Sequence, residues 1–416
     1  MNRRITGGRV TAAALAVLLG YAAAAAQAIE HRGFVEGAAF AFPHPAPNDA
    51  TQAFADLLAR EDVVIKPATW FQFAGGVDLR ANSHDQVADE WSADWFDRGI
   101  RRPRLSIRRL SATFAHGPFA LDLGKQFIRW GKTDILAPTD RFAPRDFLNG
   151  VDSELLPVTA VRAAVQFGAN TIESVWVPRF TPSRIPLVQQ RWAVLPAAPP
   201  GVVVTERAPT FPSRPQAGVR WVHTGARLDY SLSVFDGFNH LPGFASALDA
   251  AATPPELEIV RVYPRIRTYG VDAAVPLRWL TVKGEAAYFE SAVQDEYILY
   301  VLQVEVQRGQ WVLVGGYTGE VVTRRRELTT FAPDRGMSRA IVARVSRTIG
   351  TNRSFDVEGA VRQTGEGAYG RARYSHGFAR HWRATLAVVG IGGQADDFLG
   401  QYDLNSHAVL TVRYSF

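Results

Sequence analysis

The chain has 416 residues, 47% of them hydrophobic, yet no run of about 18 apolar residues follows residue 28, which excludes membrane-spanning helices. Lys and Arg total 46 against 40 Asp and Glu. Three of the arginines lie near the N-terminus, so the rest of the chain has only 43 basic against 40 acidic residues and indicates no nucleic-acid partner. The absence of cysteine excludes disulfides, thiolate metal sites and a lipid-modified N-terminal cysteine.

Residues 1–28 have the three-part pattern of a secretory signal peptide. A basic start is followed by an apolar run over 12–26, and the small residues Ala26 and Ala28 form a cleavage site. We predict that export removes this segment and that the mature chain begins near Ile29. The alternative is an uncleaved anchor helix.

Residues 29–67 do not follow the pattern of the rest of the chain. Residues 32–42 have the composition of one short strand, prolines interrupt it, and 52–60 carry apolar side chains at helical spacing. We predict an N-terminal periplasmic segment or a plug for the domain that follows. The alternative is a spare strand.

From residue 68 to the end, the chain reads as one strand after another. Apolar and polar side chains alternate with a period of two, as Leu232 and Val234 do with Ser231 and Ser233. Each strand therefore has one apolar and one polar face. Sixteen strands are predicted, near 68–80, 104–115, 118–130, 158–168, 170–178, 215–224, 226–236, 259–274, 280–290, 296–307, 310–320, 339–348, 354–364, 367–376, 382–392 and 406–416.

The last ten residues indicate what surrounds the apolar faces. Leu410, Val412, Tyr414 and Phe416 share one face of the final strand. Such a strand would aggregate in water unless its sheet closed on itself. It resembles the last strand of an outer-membrane barrel, which recurrently ends in phenylalanine and engages the barrel-assembly machinery. A soluble β-sandwich is the alternative, since it would bury the same faces.

Aromatic placement and loop length favour the barrel. Trp70, Trp279, Trp311 and Trp382 each lie where a strand leaves a short turn, as in an aromatic girdle at a membrane interface. Short turns alternate with long loops at 81–103, 131–157, 179–214, 237–258, 321–338 and 393–405. We predict an all-β fold, a transmembrane antiparallel β-barrel of about 16 strands over 68–416, with 14 or 18 strands as alternatives. Its short turns are periplasmic and its long loops extracellular.

One stretch carries a family resemblance. It contains Gly124, Lys125, Gln126, Trp130 and Gly131, followed by Asp140, Pro144 and Asp146. This pattern resembles a family of proteobacterial porin-like outer-membrane β-barrel proteins of unknown function, which carry G-[RK]-Q-x-x-x-W-G and then D-x-x-x-P-x-D. The resemblance covers about thirty residues. It implies an exported barrel, associated in some members with export of lipids or hydrophobic compounds, and it assigns no substrate.

The loop that follows this motif, 131–157, is long, proline-containing and acidic. A loop of this length without its own secondary structure is usually functional. We predict that it folds into the lumen and forms an acidic constriction, with a solvated surface loop as the alternative. Its acidic residues are Asp134, Asp140, Asp146, Asp152 and Glu154.

Arginines recur at predicted inward positions of the last four strands. They are Arg362, Arg371, Arg373, Arg383 and Arg413. Acidic groups of the loop opposite a basic wall would create a transverse field that orients dipolar or anionic solutes. Other inward charges nearly balance, so any anion preference is mild. The alternative is that inward charges merely face lumen water and neighbouring counter-charges.

No constellation of catalytic or metal-binding residues is found. Residues 365–370 match G-x-G-x-x-G, but a strand follows where a dinucleotide site needs a helix. The nine histidines are scattered without metal-ligand spacing. We predict no enzymatic activity, no cofactor and no bound metal.

The sequence therefore predicts a passive outer-membrane channel for small solutes, reached after signal-peptide export in a Gram-negative cell. Outer-membrane lipid surrounds the barrel, and we leave homo-oligomerisation open because no interface signal supports it. The alternative function is a plugged barrel that serves as outer-membrane partner of a lipid or hydrophobic-compound transfer or efflux system.

Overall fold

A computed structural model describes residues 28–91, 93–194, 201–249, 251–328, 330–363 and 365–416. The chain forms a closed antiparallel β-barrel of eighteen strands. The predicted signal peptide lies outside the described residues except for its last position. The strands are β1 (Ala28–Ala41), β2 (Ala53–Ala68), β3 (Phe71–Asn82), β4 (Leu105–His116), β5 (Phe119–Gln126), β6 (Val158–Phe167), β7 (Asn170–Val177), β8 (Gln216–Thr224), β9 (Asp229–Phe238), β10 (Arg265–Pro276), β11 (Thr281–Glu290), β12 (Glu296–Arg308), β13 (Trp311–Arg324), β14 (Ala340–Ile349), β15 (Arg353–Arg362), β16 (Gly367–Phe378), β17 (Trp382–Gly393) and β18 (His407–Ser415).

Alternating side chains separate the two faces of the wall. On β12, Leu302 is 59% exposed on the outer face, whereas the neighbouring Gln303 points inward and is 1% exposed. The same alternation leaves Val357 exposed on β15 while Glu358 points to the inside. A period of two in the sequence thus becomes an apolar belt outside and a polar lumen inside.

The barrel has two more strands than the main prediction of sixteen, and both come from residues 29–67. The prediction that this segment is a periplasmic or plug element is therefore wrong. β1 pairs with β2 along its whole length and with β18 from Phe34↔Ser415 to Ala41↔Ala408. This last pairing closes the barrel, because it joins the first strand to the last.

The alternation of β1 and β2 is hidden because their inward face is also apolar. Phe40 and Phe54 stack on each other with ring centroids 4.5 Å apart and are almost fully buried. Trp192, from the loop after β7, packs into the same cluster. Both faces of these strands are therefore apolar near one end, so the sequence shows no period of two there.

The two rims of the barrel differ in loop length. β2 and β3, β4 and β5, and β12 and β13 are joined by two residues each. Most loops on the opposite rim are long, except the short connections between β11 and β12 and between β15 and β16. Trp70, Trp279, Trp311 and Trp382 are exposed at the rim with the short turns, where an aromatic girdle is predicted. The last residue, Phe416, exchanges two backbone hydrogen bonds with Gly33 at this rim.

Several long loops carry structure of their own. The strands Val203–Arg207, Gly243–Asp249 and Glu256–Val262 form a separate small sheet, and Arg145–Asp146 pairs with Glu154–Leu155 inside loop 131–157. Two short helical segments occur at Pro333–Gly336 and Gly400–Asn405. In the described part of the chain, no helix has the length and apolar character needed to cross a membrane.

Candidate functional site

Loop 131–157 is fixed against the inner face of β11 by one carboxylate. Glu285 is 3% exposed and accepts five hydrogen bonds from the loop. Its Oε2 accepts from the backbone N–H of Lys132 at 2.9 Å and from the N–H and hydroxyl of Thr133 at 3.1 and 2.8 Å. Its Oε1 accepts from the N–H and hydroxyl of Thr139 at 2.9 and 2.8 Å.

Gly131 makes this close approach sterically possible. Its φ is +95°, and a Cβ at this position would lie 2.6 Å from the Glu285 carboxylate. Any other residue would therefore push the loop away from the wall. The motif therefore has glycine at position 131 because the loop begins in direct contact with the inner wall.

Asp134 binds the same inner wall, at Lys283 on β11 and Gln303 on β12. It accepts hydrogen bonds from Lys283 Nζ at 2.8 Å and Gln303 Nε2 at 2.6 Å, and its own N–H donates to Gln303 Oε1 at 2.8 Å. Burial alone would raise the pKa of Asp134, but these donors and the charge of Lys283 lower it overall. Asp134 is therefore an ionised anchor.

The end of the loop binds the other side of the barrel. Asp152 accepts a hydrogen bond from Arg371 on β16 at 2.6 Å. Glu154 accepts from Arg60 on β2 and Arg80 on β3, both at 2.5 Å. Although burial opposes ionisation, the charges of the two arginines lower the pKa of Glu154 to about 2. The loop thus contacts β11 and β12 near its start, and β16, β2 and β3 near its end.

Asp146 holds the middle of the loop through buried arginines. Arg102 donates to both of its carboxylate oxygens at 2.9 Å, and Arg184 donates at 3.4 Å. Burial opposes ionisation, yet the charges of these two arginines lower the pKa of Asp146 to about 2. Arg184 also pairs with Asp97 at 2.9 Å, and Lys125 reaches Asp97 at 2.7 Å. Three long loops and β5 therefore meet in one buried ionic network.

The remaining motif residues also have structural contacts. The indole N–H of Trp130 donates to Glu173 at 2.6 Å, and its backbone N–H donates to Asp140 Oδ1 at 3.0 Å. The amide of Gln126 donates to the carbonyl of Ala160 at 3.2 Å. Lys125 is 1% exposed. The motif thus directs the chain from β5 into the lumen, whereas membership of the resembling family stays a prediction.

Asp140 differs from the other acidic residues of the loop. Its Oδ2 is buried without a hydrogen-bond partner in the described structure, and the nearest cation is Arg129 Nε at 3.6 Å. Burial is the main cause that raises its pKa to about 6, against the Trp130 N–H and nearby arginines, which lower it. Burial in the loop therefore disfavours the ionisation of Asp140.

Two solved structures from Pseudomonas aeruginosa are similar to this chain. OccK3 (OpdO) of Pseudomonas aeruginosa has 11% sequence identity and a TM-score of 0.52, with 93% of this chain and 96% of that chain covered. OpdQ of Pseudomonas aeruginosa has 9% identity and a TM-score of 0.51, with 94% and 99% covered. The chain has a porin-like fold. No protein-family model and no curated protein sequence matches it.

The arginines of the porin-like wall divide into paired and unpaired groups. Arg371 pairs with Asp152 and Glu358, Arg362 with Asp397, and Arg413 with Glu36. Arg373 and Arg383 make no ion pair with any residue that the structure describes. The predicted loop acids and the basic wall therefore touch at Arg371, instead of facing each other across an open gap.

An opening remains between the loop and the wall from β13 to β17. It is a cavity of about 410 Å³. Leu136, Phe147 and Val151 line it from the loop, and Tyr369 and Ile391 line it from the wall. The passage beside the loop is therefore bounded largely by apolar and aromatic side chains.

Sequence reasoning missed the partners of the loop rather than the loop. Arg60 comes from a segment assigned outside the barrel, Arg80 from the end of a predicted strand, and Arg102 and Arg184 from other loops. No spacing in the sequence connects these arginines to 131–157. Glu285 is recognisable only as one inward carboxylate among several. Across the described ranges, no group of three His, Cys, Asp or Glu side chains is placed to hold a metal ion.

Proposed function

We propose that the protein is an outer-membrane channel for passive passage of small solutes, with its lumen narrowed by loop 131–157. The observation that carries this proposal is the two-sided attachment of the loop. It binds Glu285 and Gln303 near its start, and Arg371, Arg60 and Arg80 near its end. A segment attached to opposite walls crosses the lumen and leaves an off-centre opening.

The exterior supports a membrane location. Large apolar side chains such as Leu232, Leu302 and Leu386 are about half exposed on the outer face. Such a continuous apolar belt is unstable in water and stable in hydrocarbon. Aromatic rings at the rim with short turns match a membrane interface. We infer that outer-membrane lipid covers this belt.

The proposed channel has a mild preference for anions. Every acidic residue predicted in the loop has a basic neighbour, the most distant being Asp140 at 3.6 Å from Arg129. Arg373 and Arg383, in contrast, lack an ion-pair partner within the described ranges. The net field along this wall is therefore positive, which raises the local concentration of anions.

Planar-bilayer recording tests the channel. We expect the detergent-purified chain to give stable ohmic current steps in KCl and a reversal potential that favours chloride in a salt gradient. Absence of any current step from protein with barrel structure by circular dichroism would refute the proposal.

The alternative of a plugged barrel loses its structural basis. It required residues 29–67 as a removable plug, but these residues supply β1 and β2 and close the wall. Deleting them would remove two strands of the barrel, so we do not propose this role.

A further inference from the structure

The cavity beside loop 131–157 combines apolar walls with two unpaired cations. We propose that it is a binding site for amphipathic anions, meaning solutes with an apolar or aromatic body and one anionic group. This inference rests on the proposed channel function and specifies what the narrowest part of the passage holds. The cavity volume of about 410 Å³ is within the range of small-molecule sites.

The apolar part of the site comes from both sides of the opening. Phe147, whose ring meets that of Phe331 edge to face at 5.9 Å, lies on the loop side. Val342 and Ile391 lie on the wall side. Apolar side chains do not stabilise a hydrated ion. They do stabilise an aromatic ring or an alkyl chain, because contact with them removes it from water.

The balance of charged side chains around the cavity determines whether it prefers an anionic or a cationic group on the solute. Four acidic residues line the cavity, and each has a basic partner within 4.0 Å: Asp134 with Lys283, Asp140 with Arg129, Asp334 with Arg141 and Glu358 with Arg371.

Arg145 and Arg344 line the same cavity without such a partner. Arg145 donates only a 3.3 Å hydrogen bond to the Ser153 hydroxyl, besides its backbone contacts, and Arg344 makes no ion pair with a described residue. Arg145 belongs to the loop and Arg344 to β14. One guanidinium group on the loop and one on the wall therefore line the cavity with no carboxylate within 4.0 Å among the described residues, and each is free to bind an anion.

Ligand comparison on the unmodified protein is the first test. Naphthalene-2-sulfonate has an aromatic body and an anionic group, 2-naphthol has the body without the charge, and methanesulfonate has the anion without the body. We expect naphthalene-2-sulfonate to block the KCl current at a concentration at least about tenfold lower than either control compound, because charged hydrogen bonds and apolar burial both contribute. Equal potency of 2-naphthol, or of methanesulfonate, would overturn the proposal.

Variants test the two cations. Arg145→Gln combined with Arg344→Gln keeps hydrogen-bond donors but removes both charges, and should raise the half-blocking concentration of naphthalene-2-sulfonate about tenfold or more. The matched control is Arg353→Gln, which removes an arginine at a short turn outside the cavity and should leave block and basal conductance unchanged. An unaltered half-blocking concentration in the double variant would exclude the site.

Equilibrium dialysis of the detergent-purified protein separates this inference from the channel proposal. Binding of naphthalene-2-sulfonate that the double variant loses, without any KCl current, supports the site and refutes the channel. A normal KCl current together with no selective block and no binding refutes the site and leaves the channel proposal intact.

Discussion

Glu285 is the most informative single position for the role of loop 131–157. The substitution Glu285→Gln keeps the size of the side chain but replaces one acceptor oxygen with an N–H₂ donor. If the amide nitrogen takes the place of Oε1, the buried N–H of Thr139 loses its acceptor. If it takes the place of Oε2, the backbone N–H groups of Lys132 and Thr133 lose theirs. Either way at least one buried N–H is left without a partner, which costs about 1–3 kcal/mol.

A loss of about 2 kcal/mol changes the ratio of anchored to detached loop about thirtyfold. The detached loop no longer narrows the lumen, so we expect larger conductance or frequent switching between two current levels in single-channel recordings of Glu285→Gln. Glu290→Gln is the control, because Glu290 lies on the same strand and, among the described residues, makes an ion pair with Arg267 alone, at 3.8 Å. Identical traces from wild type, Glu285→Gln and Glu290→Gln would show that this carboxylate does not hold the constriction.

Three further predictions concern charge, pH and packing. Arg371→Glu with Arg373→Glu should abolish or reverse the anion preference, and an unchanged reversal potential would refute the basic wall. Glu154 has a folded pKa lowered from 4.5 to about 2, so its anchoring is complete above pH 4.5 and is lost as pH falls towards 2. Conductance should therefore rise as pH falls from about 4.5 towards 2, separately from any change near pH 6, where Asp140 titrates. A constant conductance between pH 4.5 and 2 would contradict the assignment. Gly150→Ala places a Cβ 2.3 Å from a tryptophan ring and should destabilise the barrel by about 1–3 kcal/mol in urea unfolding. Gly168→Ala, at the same φ of +60° but with no atom within 4 Å, is the control for backbone strain and should destabilise less.

The barrel was predictable from the sequence wherever one face of a strand is apolar and the other is polar. The sixteen predicted strands have counterparts in the structure. The strand predicted at 259–274 is the least accurate, because its first residues belong to the small separate sheet and the barrel strand begins at Arg265. The pattern fails at β1 and β2, because Phe40 and Phe54 point inward into an apolar cluster with Trp192. A period of two is visible in a sequence only where one face of a strand is apolar and the other polar, and near one end of β1 and β2 both faces are apolar.

The inward position of loop 131–157 was predictable in outline but its contacts were not. Length, prolines and acidic residues indicated a functional loop, and the structure places Asp134, Asp152 and Glu154 against lumen-facing side chains of the strands. The partners Arg60, Arg102 and Arg184 lie in three separate segments of the chain, so nothing local in the sequence connects them. The role of the predicted residues in a constriction stays a prediction until conductance is measured.

The closing pair of strands has a consequence for how the protein is made. Ser415 lies opposite Phe34, so the ring is completed only when the strand that comes last in the barrel pairs with the first. Until that pairing forms, the apolar outer side chains and the edges of every intermediate sheet are open to self-association, and pairing across such a sequence separation is intrinsically slow. An unclosed polypeptide must therefore be kept apart from its own copies, and removal of β1 or β18 would leave a sheet that cannot become a ring.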